Sequence, residues 1–412
     1  HSLYVNPAFQ SELDASIATA SGAVKTTLQS MRSLSSAYWL DVKAKVQPGT
    51  ASNTSTAAGI LADAASKSPA PLVTLIVYNL PNRDCNAKAS NGELCCETSA
   101  DGTCNYESSN DCSEGLKTYE TEYITPLANL VEKYCDSVPL ALVIEPDSLP
   151  NLASNLGVPS CGSASTQASY TQGITFAVNT LSAACPKAAL YLDAAHGGWL
   201  GWCVPSSRVQ NNLSKFVSLV DSLKVHTMLR GFSTNVANYQ PLGQQCPTVG
   251  YCLNGANPGD PCCEDPCHLE SQYNPANNEL NYAAELQAAA ERQLGWTPYM
   301  IIDTGRNGVG DERSNCANWC NIRGAGVGHQ PTTDTANSTI VDAYLWLKTP
   351  GESDGCTQML PSGGTCPRFD SSCSSADSIG SRSGEPRAPE AGGWFDYQIK
   401  MLAANANMEG EL

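Results

Sequence analysis

The chain has 412 residues, 42% of them hydrophobic, which is enough to bury a large core as one big α/β domain or two smaller ones. A net charge of −17, with 23 Lys and Arg against 40 Asp and Glu, leaves no basic stripe to follow phosphates and argues against nucleic acid and anionic membrane as partners. The longest apolar runs are strand-sized, short of a bilayer span, and no lipidation motif is visible, so a soluble protein is expected.

In chain order, seven strand-like runs appear: SAYWL, LVTLIVY, LALVIE, AALYLD, TMLRGF, YMIID and AYLWLK. Helical stretches such as 115–134, 168–184 and 277–294 separate most of them, which predicts a parallel α/β sheet, closed or open. Polar residues gather where the runs end: Asp41, Asn79 to Asp84, Glu145 and Asp147, Asp193 and His196, Thr234 and Asn235, Asp303 and Arg306, and Lys348 to Asp354. Chemistry collects at the carboxyl ends of barrel strands, so one shared site would draw on all of them. No repeat, low-complexity tract or Ser/Pro/Thr-rich linker interrupts the pattern, and a single domain over 1–412 is expected.

Nineteen cysteines predict disulfides and an oxidising compartment. Sequons at Asn53, Asn212 and Asn337 and a chain that starts at His1 rather than Met agree with a secreted, extracellular glycoprotein. Being odd, the total leaves one thiol free or paired outside the chain, unless some pairs never form. Cys95, Cys96, Cys104 and Cys112 crowd into one Gly- and Asn-rich stretch, and Cys246, Cys252, Cys262, Cys263 and Cys267 into another, and both read as stapled excursions. Zinc is the competing reading, but His268 is the only nearby histidine and doubled CC pairs fit no common zinc spacing, so no metal is expected. His1, which could be imagined as a copper ligand, reads as an exposed terminus, His226 as a residue inside a strand, and His329 as a loop residue.

The chain has no P-loop, no dinucleotide turn, no G-x-S-x-G and no H-E-x-x-H, which leaves carboxylates as the main reactive groups and calls for no cofactor. Two carboxyls facing one bond are what acetal hydrolysis needs, one protonated to release the leaving oxygen and one ionised to handle water or the sugar carbon. Trp39, Trp199, Trp202, Trp319 and Trp346 stand near the strand ends and are either flat faces for sugar rings or ordinary core aromatics. Trp199 and Trp202, in the Gly-rich HGGWLGW, lean towards a ligand.

The motifs YNLPNRDC (78–85), SNGE (90–93), VIEPDSL (143–149), YLDAAHGGWLGW (191–202), GFSTNVANY (231–239), IIDTGRNG (301–308), NWCNIRGAG (318–326), LKTPGESDG (347–355) and PRFDSSC (367–373) together resemble the family 6 glycoside hydrolases. The match runs in order from about residue 36 to residue 406. It implies a distorted seven-stranded parallel β/α barrel with long disulfide-stapled loops roofing the active site, and inverting cleavage of β-1,4-glucan. Asp147 then matches the general acid, Asp84 the aspartate that keeps the acid protonated and helps arrange water, and Asp354 the base, with Lys348 and Arg306 beside it. Glu145 becomes a structural acceptor behind the site. An inverting pair stands roughly 6.5–9.5 Å apart to admit a water.

The same resemblance places Tyr78 and Ser90 near the distorted ring, and Trp39, Trp199, Trp202 and Trp319 as stacking platforms. It makes Asn235, His196, Lys348 and Glu352 hydrogen-bonding positions, and it pairs Cys85 with Cys161 and Cys320 with Cys373. Cys135 and Cys185 both end helices just ahead of neighbouring strands, so a third disulfide is predicted there from position alone. The chain departs from the pattern at Asn79 and Asn82, where acids are usual, at AAH and at KTPGE; none of these removes a matched catalytic group.

The partners implied are cellulose and cello-oligosaccharides, met by a monomer. The second roofing loop, residues 349–390, is full length with an added CTQMLPSGGTC, and the first carries the cysteine-rich insert, which favours a tunnel and a cellobiohydrolase releasing cellobiose from non-reducing ends. The alternatives are an endoglucanase, if those inserts fold outward and leave an open cleft, and a wall-binding protein that kept the fold without the activity. No binding module or linker is read in this chain.

Overall fold

In the computed structural model, which describes residues 2–49, 53–265 and 273–409, apolar alternation builds a single curled parallel sheet. Its strands are β1 (Tyr38–Leu40), β2 (Val73–Val77), β3 (Leu140–Ile144), β4 (Ala189–Asp193), β5 (Gly231–Thr234), β6 (Tyr299–Asp303) and β7 (Val341–Leu345), neighbours in sequence order throughout. At the seam, Ala37 N donates to Trp346 O (2.9 Å) and the Trp39 indole to Leu347 O (2.9 Å).

Successive side chains along a strand point to opposite faces. Leu75, Val77, Leu142, Ile144, Leu190, Leu192, Met300 and Ile302 join the large outer core under the helices. Ile76, Tyr78, Ala141, Val143, Tyr191, Ile301, Ala343 and Leu345 fill the inside of the curl. That inner register ends in Asp193 on β4 and Asp303 on β6, which delivers carboxylates to the mouth. A second apolar cluster of Phe9, Leu13, Leu28, Met31, Trp346, Ile399 and Leu402 lets the helices Pro7–Thr19, Gly22–Met31 and Asp396–Ala404 close the side near β7.

The covering helices start on side-chain caps: Thr56 to Gly59 N, Ser163 to Thr166 N, and Asn278 to Asn281 N. The expected helix 115–134 runs as Ser113–Tyr119, a π turn Glu120–Ile124 and Thr125–Tyr134. Tyr119 and Tyr123 flank or sit in that turn and send their hydroxyls to the strand ends, where Tyr119 donates to Glu145 (2.7 Å) and Tyr123 accepts from Tyr78 N (2.9 Å).

The fifth strand departs from its expected place. TMLRGF is not the strand; β5 begins only at Gly231, and His226 lies in a 3₁₀ turn, His226–Met228, packed on the Trp296 ring rather than inside a strand. Gly231 sits so close to β6 that a Cβ there would fall 1.6 Å from Tyr299 O, so only glycine lets the strands pair at this point.

The three expected disulfides, Cys85–Cys161, Cys320–Cys373 and Cys135–Cys185, are formed. In the first cysteine-rich stretch Cys95 pairs with Cys104 and Cys96 with Cys112. In the second, the four sulfurs of Cys246, Cys252, Cys262 and Cys263 gather within 4.8 Å of one another as the pairs 246–262 and 252–263. Cys356–Cys366 staples the CTQMLPSGGTC hairpin, Cys316 is also disulfide-bonded, and Cys203 is the free thiol among the described residues. Cys267, His268 and His1 lie outside the described residues. No helix among the described residues is long and apolar enough to cross a membrane.

Candidate active site

The loops after the strands open onto one cleft of about 630 Å³. Tyr78, Asp84, Ser90, Asp147, His196, Trp39, Trp199, Trp202, Trp319, Lys348, Glu352 and Asp354 all line it, so twelve of the fourteen expected catalytic and binding residues meet in one place. The other two stand behind the wall. Arg306 is buried against Asp354, and Asn235 turns its amide inward to Gln240 O (3.1 Å) and Asp303 O (2.8 Å), fixing the turn after β5 instead of facing the cleft.

The backbone at these strand ends is unusual. Asn82, Asp84, Glu145, Asp147, Ala195, Asn235 and Ala237 all have φ between 47° and 62°. Asn and Asp tolerate this region, whereas Glu and Ala rarely adopt it, and the turns they make lift the acids off the sheet.

Asp147 stands at the start of the helix Ser148–Ser154, and its N–H donates to Asp193 Oδ2 (3.0 Å). Burial raises its pKa well above the usual carboxylate range, with Asp193 and then Asp84 adding like-charge repulsion. Asp193 is therefore the stronger negative neighbour, a role the sequence does not reveal. It is itself pushed up to about 7 by burial. Asp84 accepts from the Tyr78 hydroxyl (2.8 Å), and burial lifts its pKa too, against the pull of that hydroxyl and of Arg83. Glu145 sits behind, accepting from Asn79 N, Leu80 N and Tyr119.

Asp354 is held on the opposite wall. Arg306 Nη1 donates to Oδ1 (2.6 Å), while the Tyr239 hydroxyl (2.7 Å) and Asn321 N (2.8 Å) donate to Oδ2. Each carboxylate oxygen has two lone pairs, so Oδ2 is filled and only Oδ1 keeps a place for another donor. The ion pair of Lys348 is with Glu352 (3.4 Å), and its ammonium lies 5.5 Å from the centre of the Trp39 ring. Trp39 meets Tyr78 edge-on at 5.0 Å.

The HGGWLGW loop owes its shape to Gly197, whose Cβ would strike Ala276 O at 2.2 Å and whose N–H donates to the buried Glu279 (2.9 Å). Trp199 is oriented by Ser154 (2.7 Å) and Trp202 by Gly198 O (2.9 Å). The His196 ring is buried beside Trp199, and that burial, with Arg313 nearby, lowers its pKa to about 3, so it is a neutral imidazole.

Two loops meet above Asp84. Lys88 N donates to Asp370 Oδ2 (2.7 Å), and Arg368 reaches Asn91 O (3.1 Å), joining segment 84–92 to segment 368–372 at the cleft. Residues 94–112 contribute nothing to the cleft lining; Cys96 Sγ contacts Ser165 O on the helix Ala164–Ala184 instead. Residues 361–365 of the added hairpin are exposed. The cysteine-rich inserts thus fold outward, and shorter segments beside them make the bridge.

A parallel β/α fold with paired acids and tryptophan walls in a long polar cleft defines a carbohydrate-cleaving hydrolase. The chain belongs to glycosyl hydrolases family 6, whose sequence profile matches residues 1–406, and it is a glycosidase. It is 34% identical to exoglucanase 3 of Agaricus bisporus over 98% of this chain and 77% of that protein. It is 35% identical to 1,4-β-D-glucan cellobiohydrolase C of Emericella nidulans over 99% of this chain and 77% of that protein. Among solved structures, cellobiohydrolase II (Cel6A) of Humicola insolens, in complex with glucose and cellotetraose, superposes with a TM-score of 0.75 at 29% identity, covering 98% of this chain and 97% of that one. Cel6C of Coprinopsis cinerea superposes with a TM-score of 0.75 at 29% identity, covering 100% and 98%.

Proposed function

We propose that this glycosidase hydrolyses the β-1,4 bonds of cellulose with inversion and releases cellobiose from non-reducing ends drawn beneath the bridge between its two loops. The observation that carries the reading is that Asp147, with Asp84 and Asp354, lines one tryptophan-walled cleft beside which segments 84–92 and 368–372 are hydrogen-bonded to each other. Relatives named as cellobiohydrolases and an exoglucanase support it.

In this mechanism the glucan lies along Trp39, Trp199, Trp202 and Trp319, whose flat faces suit uncharged rings. Asp147 gives its proton to the glycosidic oxygen as the bond to the anomeric carbon breaks. A water attacks that carbon from the opposite face and passes its proton towards Asp354, at Oδ1, where one lone pair remains open. Asp84 and Tyr78 hold the distorted ring and the water in line. Burial first, and then Asp193 and Asp84 beside it, favour the protonated form of Asp147 until the proton is needed.

The chain acts as a secreted monomer in this reading. Eight fully described disulfides support an oxidising compartment. A bridged site predicts slow loss of viscosity per reducing end released from a soluble substituted glucan. Rapid viscosity loss would mean internal cuts, and an endoglucanase.

A further inference from the structure

The bridge does more than cover the cleft. Asn91, whose carbonyl accepts from Arg368, sends its own amide to Asp84 O (3.2 Å) and Ala87 O (3.1 Å). Lys88, whose N–H is held by Asp370, lies in the same turn. Asp370 Oδ1 also caps the short helix Ser371–Ser374 through Ser372 N (2.8 Å), while Arg368 Nε pairs with Glu390 (3.1 Å). A cation and an anion from the second loop thus grip the turn that carries Asp84, one on each side of Asn91 and Lys88.

Resting on the hydrolytic reading above, we infer that Arg368 and Asp370 are positioning residues that hold the Asp84 turn from the second loop and act on Asp84 with opposite electrostatic effect. The other groups that face Asp84 are Tyr78 and Arg83 from the end of β2, Asp147 from β3, Tyr106 from the insert, and Tyr170 from the helix Ala164–Ala184. The second loop adds Asp370, which favours the protonated form of Asp84, and Arg368, which favours the ionised form. Neither side chain needs to touch the sugar for this.

The opposite signs make the inference testable. Arg368→Gln and Asp370→Asn each remove one charge at partly exposed positions while keeping hydrogen-bonding atoms, so both should fold. The kcat/KM profile against pH would be measured on cellotetraose for each variant and for the unaltered enzyme. An acid pair titrates with apparent values that belong to the pair. Arg368→Gln is expected to move the alkaline limb, which the Asp84–Asp147 pair sets, to higher pH, and Asp370→Asn to move it to lower pH. Limbs that stay put, or shift in the same direction in both variants, would reduce the two residues to structural ties and overturn the inference. Absence of cleavage by the unaltered enzyme would overturn the hydrolytic reading itself, a different failure from unmoved limbs.

Discussion

Asp147 holds its proton because burial and two acidic neighbours all disfavour its charge, and the nearer hydrogen-bonded one, Asp193, is fixed by the backbone N–H groups of Asp147 and Ala195. Asp354 faces the reverse environment, with a guanidinium, a phenol and a peptide N–H converging on it. A carboxyl set among acids and a carboxylate held by three donors can serve as proton donor and acceptor in one reaction. Asp147→Asn keeps the shape and removes the proton, so turnover on unactivated glucan should fall by about 10²–10⁴-fold while oligosaccharide binding persists, measured by calorimetry beside a rate assay. A near-normal rate would reject Asp147 as the acid. Asp84, Asp147 and Asp354 were legible because each sits in a motif at the end of an apolar run. Tyr239 was not singled out, and Asp193 was placed at a strand end without a role, because their roles depend on which way a buried side chain faces.

The second roofing loop is fastened by charge as well as by Cys320–Cys373. Arg323 pairs with both oxygens of Glu385 (2.6 and 2.7 Å) and also reaches Ala376 O and Ser378 O, while Asp377 accepts from Ser314 and Asn318 beside Trp319. Arg323 lowers the Glu385 pKa to about 2. The pair's contribution is therefore complete above the ordinary glutamate range and fades as pH falls through about 2. Glu385→Gln should cost on the order of 1 kcal/mol near pH 6, with the deficit shrinking towards pH 2, as followed by denaturant unfolding. A deficit that does not change with pH would assign the loss to packing.

At this scale the sequence is an uneven guide. Six of the seven strands fall on their apolar runs. TMLRGF misleads because its apolar residues serve a 3₁₀ turn, and pairing begins only at the glycine that can approach β6. The bridge of Lys88 to Asp370 joins residues 282 apart, a contact no local pattern encodes. The Cys135–Cys185 pair was legible because two helix ends preceding adjacent parallel strands must lie side by side.

The whole molecule carries an unusual number of buried acids. Burial raises Glu145, Asp193, Glu285 and Glu312 to about 7, Glu279 to about 8 and Asp303 to about 6. Between the ordinary carboxylate range and these values the folded chain keeps protons that the unfolded chain has released, so this stability is full on the acid side and is lost as pH rises. The melting temperature should be higher at pH 5 than at pH 8, and the reverse order in calorimetry would contradict that burial picture. The net charge, which reaches −17 only once those acids are all ionised, works in the same direction. The fold, the cleft and the acid-rich interior together describe an enzyme suited to mildly acidic surroundings.

The most direct test of the central claim is a proton NMR time course on cellohexaose, which reports cleavage, product length and anomeric configuration in one experiment. The α-anomer is expected to appear first, with cellobiose as the dominant product. Early β-anomer, or no cleavage at mildly acidic pH, would contradict it.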